Sequence, residues 1–294
     1  MTLSLLEKPE PYEGDIMLDL LHLAKGVGLL LLAVTPLLQA HEYWIEPQRY
    51  QLSAGDRLVA QLKVGQHFKG DVQPYLPDNI NRMQIHIGDT SSDVKSRIGD
   101  LPVLDQKLAG EGLVIVSLIS NIFQLNYTEA GRFEQFLAYE GLQQVLAEHR
   151  RRGLPMTGFK EAYQRFAKSL VRLGKGGGED RLLGMRFEWL LESNPYTVNT
   201  DLIQARLFWH DQPLPAAQAR LFLRNGGNVQ ERVLTTDQSG RVTFSVEPGS
   251  EVLLNAVQMR QPAALFPAPA DVVWISYWTT ITFELPESVE VQHK

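Results

Sequence analysis

A histidine directly follows a predicted proteolytic cut near residue 40. Residues 38–44 are LQAHEYW, and Ala40 has the small side chain that an export signal needs just before its cleavage site. Cleavage there would make His41 the amino-terminal residue. Its free amine and its ring Nδ1 would then chelate one metal ion, and deprotonation of the next amide would add a third nitrogen. Tetragonal nitrogen ligands of this kind suit Cu(II) or Ni(II).

Two more histidines lie in the same predicted domain and are candidates for a further ligand. His67 is in the loop Gly65–Gly70, where flanking glycines would let its ring move toward a metal. His86 is the reserve candidate, because the alternating run Arg82–Ile87 predicts a strand with His86 on its polar face. Ordinary polar surface is the alternative interpretation for both. The predicted metal ligands are therefore His41, His67 and His86.

The remaining polar candidates favour structural roles. His149 lies in the basic end of a predicted helix, as a solvated residue or a C-terminal cap, and His210 precedes a surface turn. His293 is near the end of the chain, and Asp237 fits a turn. No nucleophile elbow, HExxH helix or paired-carboxylate signature is present, so the sequence predicts a protein that is not an enzyme.

Residues 1–40 are predicted to be a signal peptide. The apolar run at 27–38 is too short for a membrane span, which needs about 20 apolar residues. Residues 1–16 are polar and acidic, unlike the start of an export signal, so Met17 is an alternative start. We therefore expect a periplasmic protein with no stable membrane span after cleavage. The alternative is an uncleaved anchor with His41 in mid-chain.

Amino-acid composition and net charge exclude several kinds of cofactor and partner. The 294 residues contain no cysteine, which excludes disulfides, thiolate zinc sites and iron–sulfur clusters. The net charge is −6 and no dense Lys/Arg stripe occurs, so no nucleic-acid partner is expected. Apolar content of 44% is ordinary for a globular protein with a sizeable core.

Hydropathy patterns predict a mainly β protein: two β-sandwich domains, with a two-helix insert in or after the first. The first domain covers 41–198, with Tyr43 and Trp44 anchoring its first strand and Glu42 and Glu46 either orienting a metal site or lying at the surface. Residues 57–64 alternate, which is typical of a half-buried strand, and the apolar run 113–119 predicts a strand buried on both faces.

The helical insert is predicted at about 129–174. Apolar residues recur at helical spacing from Phe133 to Leu146, and again from Phe159 to Leu173. Residues 176–178 are three glycines, interpreted as a linker. The second domain, 199–294, has short strands and turn signals every 10–12 residues, which predicts an Ig-like or transthyretin-like sandwich.

Six sequence blocks are spread over nearly all of the chain after residue 40. They are HEYWIEP at 41–47, VGQHFKG at 64–70, FEQFL at 133–137 with Gly141 and Leu142, EAYQR at 161–165 with Lys168, Glu188 with NPY at 194–196, and WISYWTTITF at 274–283. Together these blocks resemble the DUF4198 family, which includes nickel-uptake (NikM/NikK-like) periplasmic proteins. In the same part of the chain, 213–217 and 236–244 resemble the transthyretin-like, carboxypeptidase-regulatory sandwich.

This resemblance implies capture of Ni(II) or Co(II), with Cu(II) as a further possibility, and delivery to a membrane metal transporter or an outer-membrane receptor. It places a ligand role on His41 and a second on His67. The chain departs from metal carriers with a histidine-rich loop, since it has none. Two alternatives stay open: a cell-envelope scaffold that binds a glycan, peptide or receptor without metal, and a copper oxidase of the histidine-brace type.

Overall fold

The computed structural model describes residues 42–197, 201–262 and 271–287, all within one compact unit. The predicted export segment, His41 and His293 lie outside these residues. The strands before the helices are β1 Glu42–Pro47, β2 Gln51–Leu52, β3 Arg57–Gln66, β4 Lys69–Gln73, β5 Ile80–Ile87, β6 Thr90–Asp93, β7 Leu104–Lys107, β8 Gly112–Ser120 and β9 Phe123–Tyr127. The helices are α1 Arg132–Tyr139 and α2 Gln143–Arg151. The later strands are β10 Phe159–Leu173, β11 Phe187–Leu191, β12 Leu202–Trp209, β13 Gln212–Pro213, β14 Gln218–Asn225, β15 Asn228–Thr235, β16 Arg241–Ser245, β17 Glu251–Arg260 and β18 Val272–Glu284.

A ten-stranded central sheet lies between two smaller sheets. Its order is β15-β14-β17-β18-β10-β8-β5-β6, and β2 and β9 also pair with β10. One outer sheet contains β1, β3, β4 and β7, and the other contains β11, β12, β13 and β16. The predicted mainly β, sandwich-like fold with two helices is confirmed. Neither helix in the described ranges is long and apolar enough to span a membrane.

Strand β8 shows why the central sheet is covered on both faces. Leu113 and Ile115 pack into the core beneath β11, β12 and β16, whereas Val114 and Val116 pack into the core beneath β1 and β3. Successive side chains of a strand point to opposite faces, so an unbroken apolar run places one residue in each core. The prediction that 113–119 is buried on both faces is confirmed.

The predicted second helix is wrong, because Phe159–Leu173 forms β10, the longest strand of the structure. Phe166 and Leu170 face one core, and Ala167 and Val171 face the other. A strand buried on both sides has apolar residues at odd and even positions, which produces spacings of three and four by coincidence. Both observed helices instead fall within the predicted first one, separated at Gly141, whose φ of 69° is left-handed.

The central sheet includes strands from both sides of the predicted domain boundary at residue 198. Strands β5, β6 and β8 precede it, and β14, β15, β17 and β18 follow it. The two groups of strands meet where β10 pairs with β18 in parallel. The first residue pair is Lys160 with Val272, and the last is Ser169 with Thr282. One sheet therefore carries both cores.

A buried ionic cluster fixes β10 to the segment before β11. The Lys168 ammonium lies 3.1 Å from Asp180 Oδ1 and 2.8 Å from Glu188 Oε1, and it donates to the carbonyls of Arg181 and Trp189. All three ionic side chains are at most 1% exposed. Backbone N–H groups donate to both carboxylates, so one cation and two anions are held without water.

We expect Lys168→Met to lower the free energy of unfolding by about 3–5 kcal/mol, because it leaves two buried carboxylates without their cation. Lys160→Met is the matched control on the same strand, since Lys160 pairs with Asp271 at the surface. That change should cost less than about 1 kcal/mol. Urea denaturation of both variants measures the difference, and equal losses would contradict the structural role given to Lys168.

Candidate functional site

The first strand places its even-numbered side chains against β14. Trp44 shares an apolar cluster with Phe222, and Glu46 Oε1 lies 3.3 Å from Arg224 Nη2. Glu42 is the next residue on this face and lies in the electrostatic field of Arg220. Thr280 and Thr282 of β18 hold β1 in this register, since each hydroxyl donates to a β1 carbonyl at 2.7 Å.

Three glutamates converge on Arg220 at the start of β1. This carboxylate cluster consists of Glu42, Glu140, Glu231 and Arg220, with Tyr139 beside it. The guanidinium donates to Glu231 and to the Tyr139 carbonyl, and its Nε lies 4.0 Å from Glu140 Oε2. It also stacks on the Tyr139 ring. One cation therefore faces three carboxyl groups.

Burial raises the pKa of Glu42 to about 7 and that of Glu140 to about 8. Glu231 adds to the rise of both pKa values, and Glu42 adds to that of Glu140. Arg220 opposes both, and a backbone hydrogen bond also lowers the pKa of Glu42. Glu42 is 1% exposed, and its Oε2 has no hydrogen-bond partner among the described residues. A buried carboxylate oxygen without a partner is costly, so the cluster favours a proton or a cation at this position.

The turn between β3 and β4 brings His67 to the edge of the cluster. Gln66 pairs with Lys69, so His67 and Phe68 form a two-residue turn, and both have left-handed φ values, 52° and 58°. This turn is tighter than the mobile loop predicted from the flanking glycines. Phe68 is fully buried against Trp44, which fixes the turn on the sandwich.

His67 donates from one ring nitrogen and leaves the other accessible. Its Nδ1 lies 2.9 Å from Glu231 Oε2, while 56% of the side chain is exposed. A carboxylate acceptor at Nδ1 places the proton there, so the Nε2 lone pair is available to a ligand. Glu42 pairs with Gly65 in the strand register, so the cluster and His67 lie at the end of β1 that adjoins His41 in the chain.

His86 lies elsewhere and is buried, which corrects its predicted place on the polar surface. Its Nε2 lies 3.0 Å from Ser117 Oγ. Burial, followed by Arg181, Arg82 and Lys168, lowers its pKa to about 4. The segment before β11 covers this face of β5, since Arg82 and Arg181 bridge the two.

The structure does not bring His67 and His86 together. His67 contacts Phe222 and Glu231 on β14 and β15, and β5 is five strand positions from β14 in the central sheet. Neighbouring strands of a sheet are about 4.8 Å apart, so strands β5 and β14 are separated by roughly 24 Å. In the described ranges, no three histidine or carboxylate side chains are close enough together to hold a metal ion.

The other predicted residues have mixed outcomes. His149 is fully buried rather than solvated: Trp274 Nε1 donates to its Nδ1, so its Nε2–H donates to the Pro155 carbonyl. His210 is exposed in the turn after β12, as predicted. Asp237 accepts from the backbone of Ser239 and Arg241, which confirms its turn role. The Glu46 carboxylate accepts hydrogen bonds from Lys63 Nζ and Trp44 Nε1.

The sequence analysis did not single out Glu140, Glu231, Arg220 or Tyr139. One local signal was available at Arg220, a charged residue inside the apolar run Ala219–Leu223. Glu140 and Tyr139 close a helix, and Glu231 lies in an exposed hairpin strand, where acidic residues are ordinary.

Comparison with known proteins identifies one family. The sequence model described as "Domain of unknown function (DUF4198)" matches residues 38–260. No curated protein matches the chain.

Similar solved structures are remote. A Salmonella alpha-2-macroglobulin is 13% identical with a TM-score of 0.21, and the match covers 82% of this chain and 15% of that one. The D0–D1 domain of intimin is 10% identical with a TM-score of 0.20, covering 82% and 97%. A DUF3823 family protein from Bacteroides uniformis is 9% identical with a TM-score of 0.19, covering 84% and 100%. These scores are too low to establish a shared fold.

The buried Glu140 carboxyl predicts a loss of stability as pH rises. Its folded pKa of about 8 exceeds its ordinary value of 4.5, so the folded state keeps a proton that the unfolded chain has lost. The stabilising contribution is fully present below about pH 4.5 and disappears as pH rises through about 8. Relative to Glu140→Gln, the wild type should lose roughly 1–3 kcal/mol between about pH 6 and 9.

Urea denaturation across this pH range measures the difference. Glu134→Gln, on the exposed side of α1, is the control and should differ from wild type by a constant amount. A pH-independent difference for Glu140→Gln would show that this carboxyl does not carry the proton.

Proposed function

The chain belongs to the family described as domain of unknown function DUF4198, and on that premise we propose that it is a periplasmic transition-metal-binding protein. Cleavage after Ala40 would expose His41, whose amine and imidazole capture the ion. The cargo is Ni(II) or Co(II), with Cu(II) second. The protein then passes the ion to a membrane transporter or an outer-membrane receptor, without covalent chemistry.

The observation that carries this proposal is the group of carboxyls directly after His41. Glu42 presents an unpartnered buried oxygen, and the single cation Arg220 faces Glu42, Glu140 and Glu231, so the negative charge of the group is limited by bound protons rather than by further cations. A cation held beside this cluster would compensate that charge. The terminal amine and imidazole supply nitrogen donors that suit Ni(II), Co(II) and Cu(II) better than a carboxylate set alone.

His67 supports the proposal as the second imidazole. The Glu231 carboxylate at its Nδ1 fixes the ring orientation, as acceptors behind metal-bound histidines generally do. The accessible Nε2 is then the donor atom. His86 is a weaker candidate, because its ring is buried, bonded to Ser117 and surrounded by Arg82, Arg181 and Lys168, whose charges disfavour a cation.

The terminal chelate is tested with three forms of the exported protein. Mass spectrometry first establishes whether the chain begins at His41. The authentic form, His41→Ala and a form extended by one alanine are then titrated with Ni(II), Co(II) and Cu(II). Both altered forms should bind more than about 100-fold more weakly, since losing a ligand costs more than losing an outer-sphere partner. A different mature terminus, or equal affinity in all three forms, would remove the amine from the site.

The second imidazole is tested by a pair of substitutions in the same protein. His67→Ala, which removes a ligand, should weaken metal binding by more than about 100-fold, and Glu231→Gln, which removes the partner behind that ligand, by about 10–100-fold. His86→Ala is the matched control: it should lower thermal stability and leave the affinity unchanged. Equal affinity losses for the His67 and His86 variants would contradict the assignment.

The same titrations separate the alternatives. A scaffold protein would show no tight metal site in any form. A histidine-brace oxidase would consume oxygen in the presence of copper and a reductant, which a metal carrier would not.

A further inference from the structure

A cation without an ion pair among the described residues lies on the opposite face of β1, with the nearby Glu161 carboxyl opposing part of its charge. The Arg165 guanidinium has no carboxylate within salt-bridge distance among the described residues, and its Nε is buried without a hydrogen-bond partner. Its neighbours are instead the rings of Tyr163 and Tyr43, with centroids 4.7 and 5.3 Å away. Burial lowers the pKa of Arg165 from its usual value, but an arginine remains charged near neutral pH.

A break in the central sheet produces this position. Strand β10 pairs with β9 from Phe159 to Tyr163 and with β8 from Leu170 to Leu173, and residues 164–169 have no ladder pairing on that side. The Arg165 backbone N–H donates to Ser120 Oγ, and Gln164 Nε2 donates to the Ser120 carbonyl. These two side-chain hydrogen bonds take the place of backbone hydrogen bonds on this side of β10, and they hold Arg165 in a fixed position.

The Arg165 side chain lines a cavity of about 110 Å³ between the outer sheet of β1, β3 and β4 and the central sheet. Most of the other lining groups are apolar or aromatic, and two amide side chains complete the wall. They include Tyr43, Leu62, Val64, Leu76, Ile80 and Phe123. A cavity with a guanidinium at one end and apolar walls elsewhere suits a ligand that has an anionic group at one end and hydrocarbon at the other.

The chemistry of the guanidinium selects the anion. Its planar fork matches the two oxygens of a carboxylate, and the bond is strengthened where water is excluded. An apolar cavity of about 150 Å³ binds benzene, so a cavity of about 110 Å³ accommodates a somewhat smaller hydrocarbon group. We propose that Arg165 and this cavity bind a short-chain aliphatic carboxylate of about two to five carbons.

This site is separate from the proposed metal site. Tyr43 faces the cavity, whereas its neighbour Glu42 faces the carboxylate cluster, because adjacent strand residues point to opposite sides. Carboxylate binding therefore needs neither His41 nor a metal ion, and either proposal can fail alone.

The test is titration of the whole protein, labelled with ¹⁵N-arginine, with butyrate. The Arg165 Nε–Hε resonance should shift saturably, because a carboxylate bound to the guanidinium changes the electronic surroundings of that group. Butyramide, which lacks the charge, and inorganic phosphate, which lacks the hydrocarbon, should each bind at least about tenfold more weakly. Absence of a saturable shift, or equal binding of butyramide or phosphate, would overturn the proposal.

Substitutions give an independent readout. Arg165→Gln should reduce butyrate affinity at least about tenfold, whereas Arg97→Gln, which alters a surface arginine, should leave it unchanged. If Arg165→Gln fails to fold, Leu76→Phe keeps the guanidinium and narrows the cavity. It should weaken butyrate more than acetate. Unchanged butyrate affinity in a folded Arg165→Gln protein, or equal effects of Leu76→Phe on the two acids, would place binding elsewhere.

Discussion

The burial of the central sheet on both faces is the constraint on which the rest of this protein depends. Strands β8, β10 and β18 carry two cores, so a polar group on them must find its partner inside the protein. Lys168 meets Asp180 and Glu188, and Thr280 and Thr282 bond the backbone of β1. Glu161 accepts from Tyr127 and Ser276. These bonds specify how the outer sheets are placed, because an apolar contact alone has little direction.

The two proposed sites are places where this internal compensation is incomplete. At the carboxylate cluster, three glutamates share one arginine, and an oxygen of Glu42 remains without a partner. At the cavity, Arg165 has aromatic neighbours and a buried Glu161 nearby, but no carboxylate of the described residues lies within salt-bridge distance. Strand β1 separates the two, with Glu42 on one side and Tyr43 on the other. Opposite charges left on opposite faces of one strand favour ligands of opposite charge, a metal cation and a small organic anion.

Prediction from the sequence succeeded where one physical signal dominated. Residues 57–64 alternate because one face of β3 is in a core, and 113–119 are apolar throughout because β8 has a core on each side. It failed at 159–173, where the same two-sided burial produced helical spacing in a strand. It also failed at His86 and His149, since a polar residue type indicates the surface unless its internal partners, here Ser117 and Trp274, are known.

Local sequence patterns were enough to predict the fold class and most strand positions, and they made His41 and His67 candidate metal ligands. These follow from local periodicity and residue type, which need no knowledge of distant contacts. Which charges lack counterparts became visible only in three dimensions. Glu140, Glu231 and Arg220 come from a helix end and two strands far along the chain from Glu42, and Arg165 faces a cavity lined by five other strands and the segment between β4 and β5. Electrostatic compensation depends on distance in space, so no reading of neighbouring residues could have shown it.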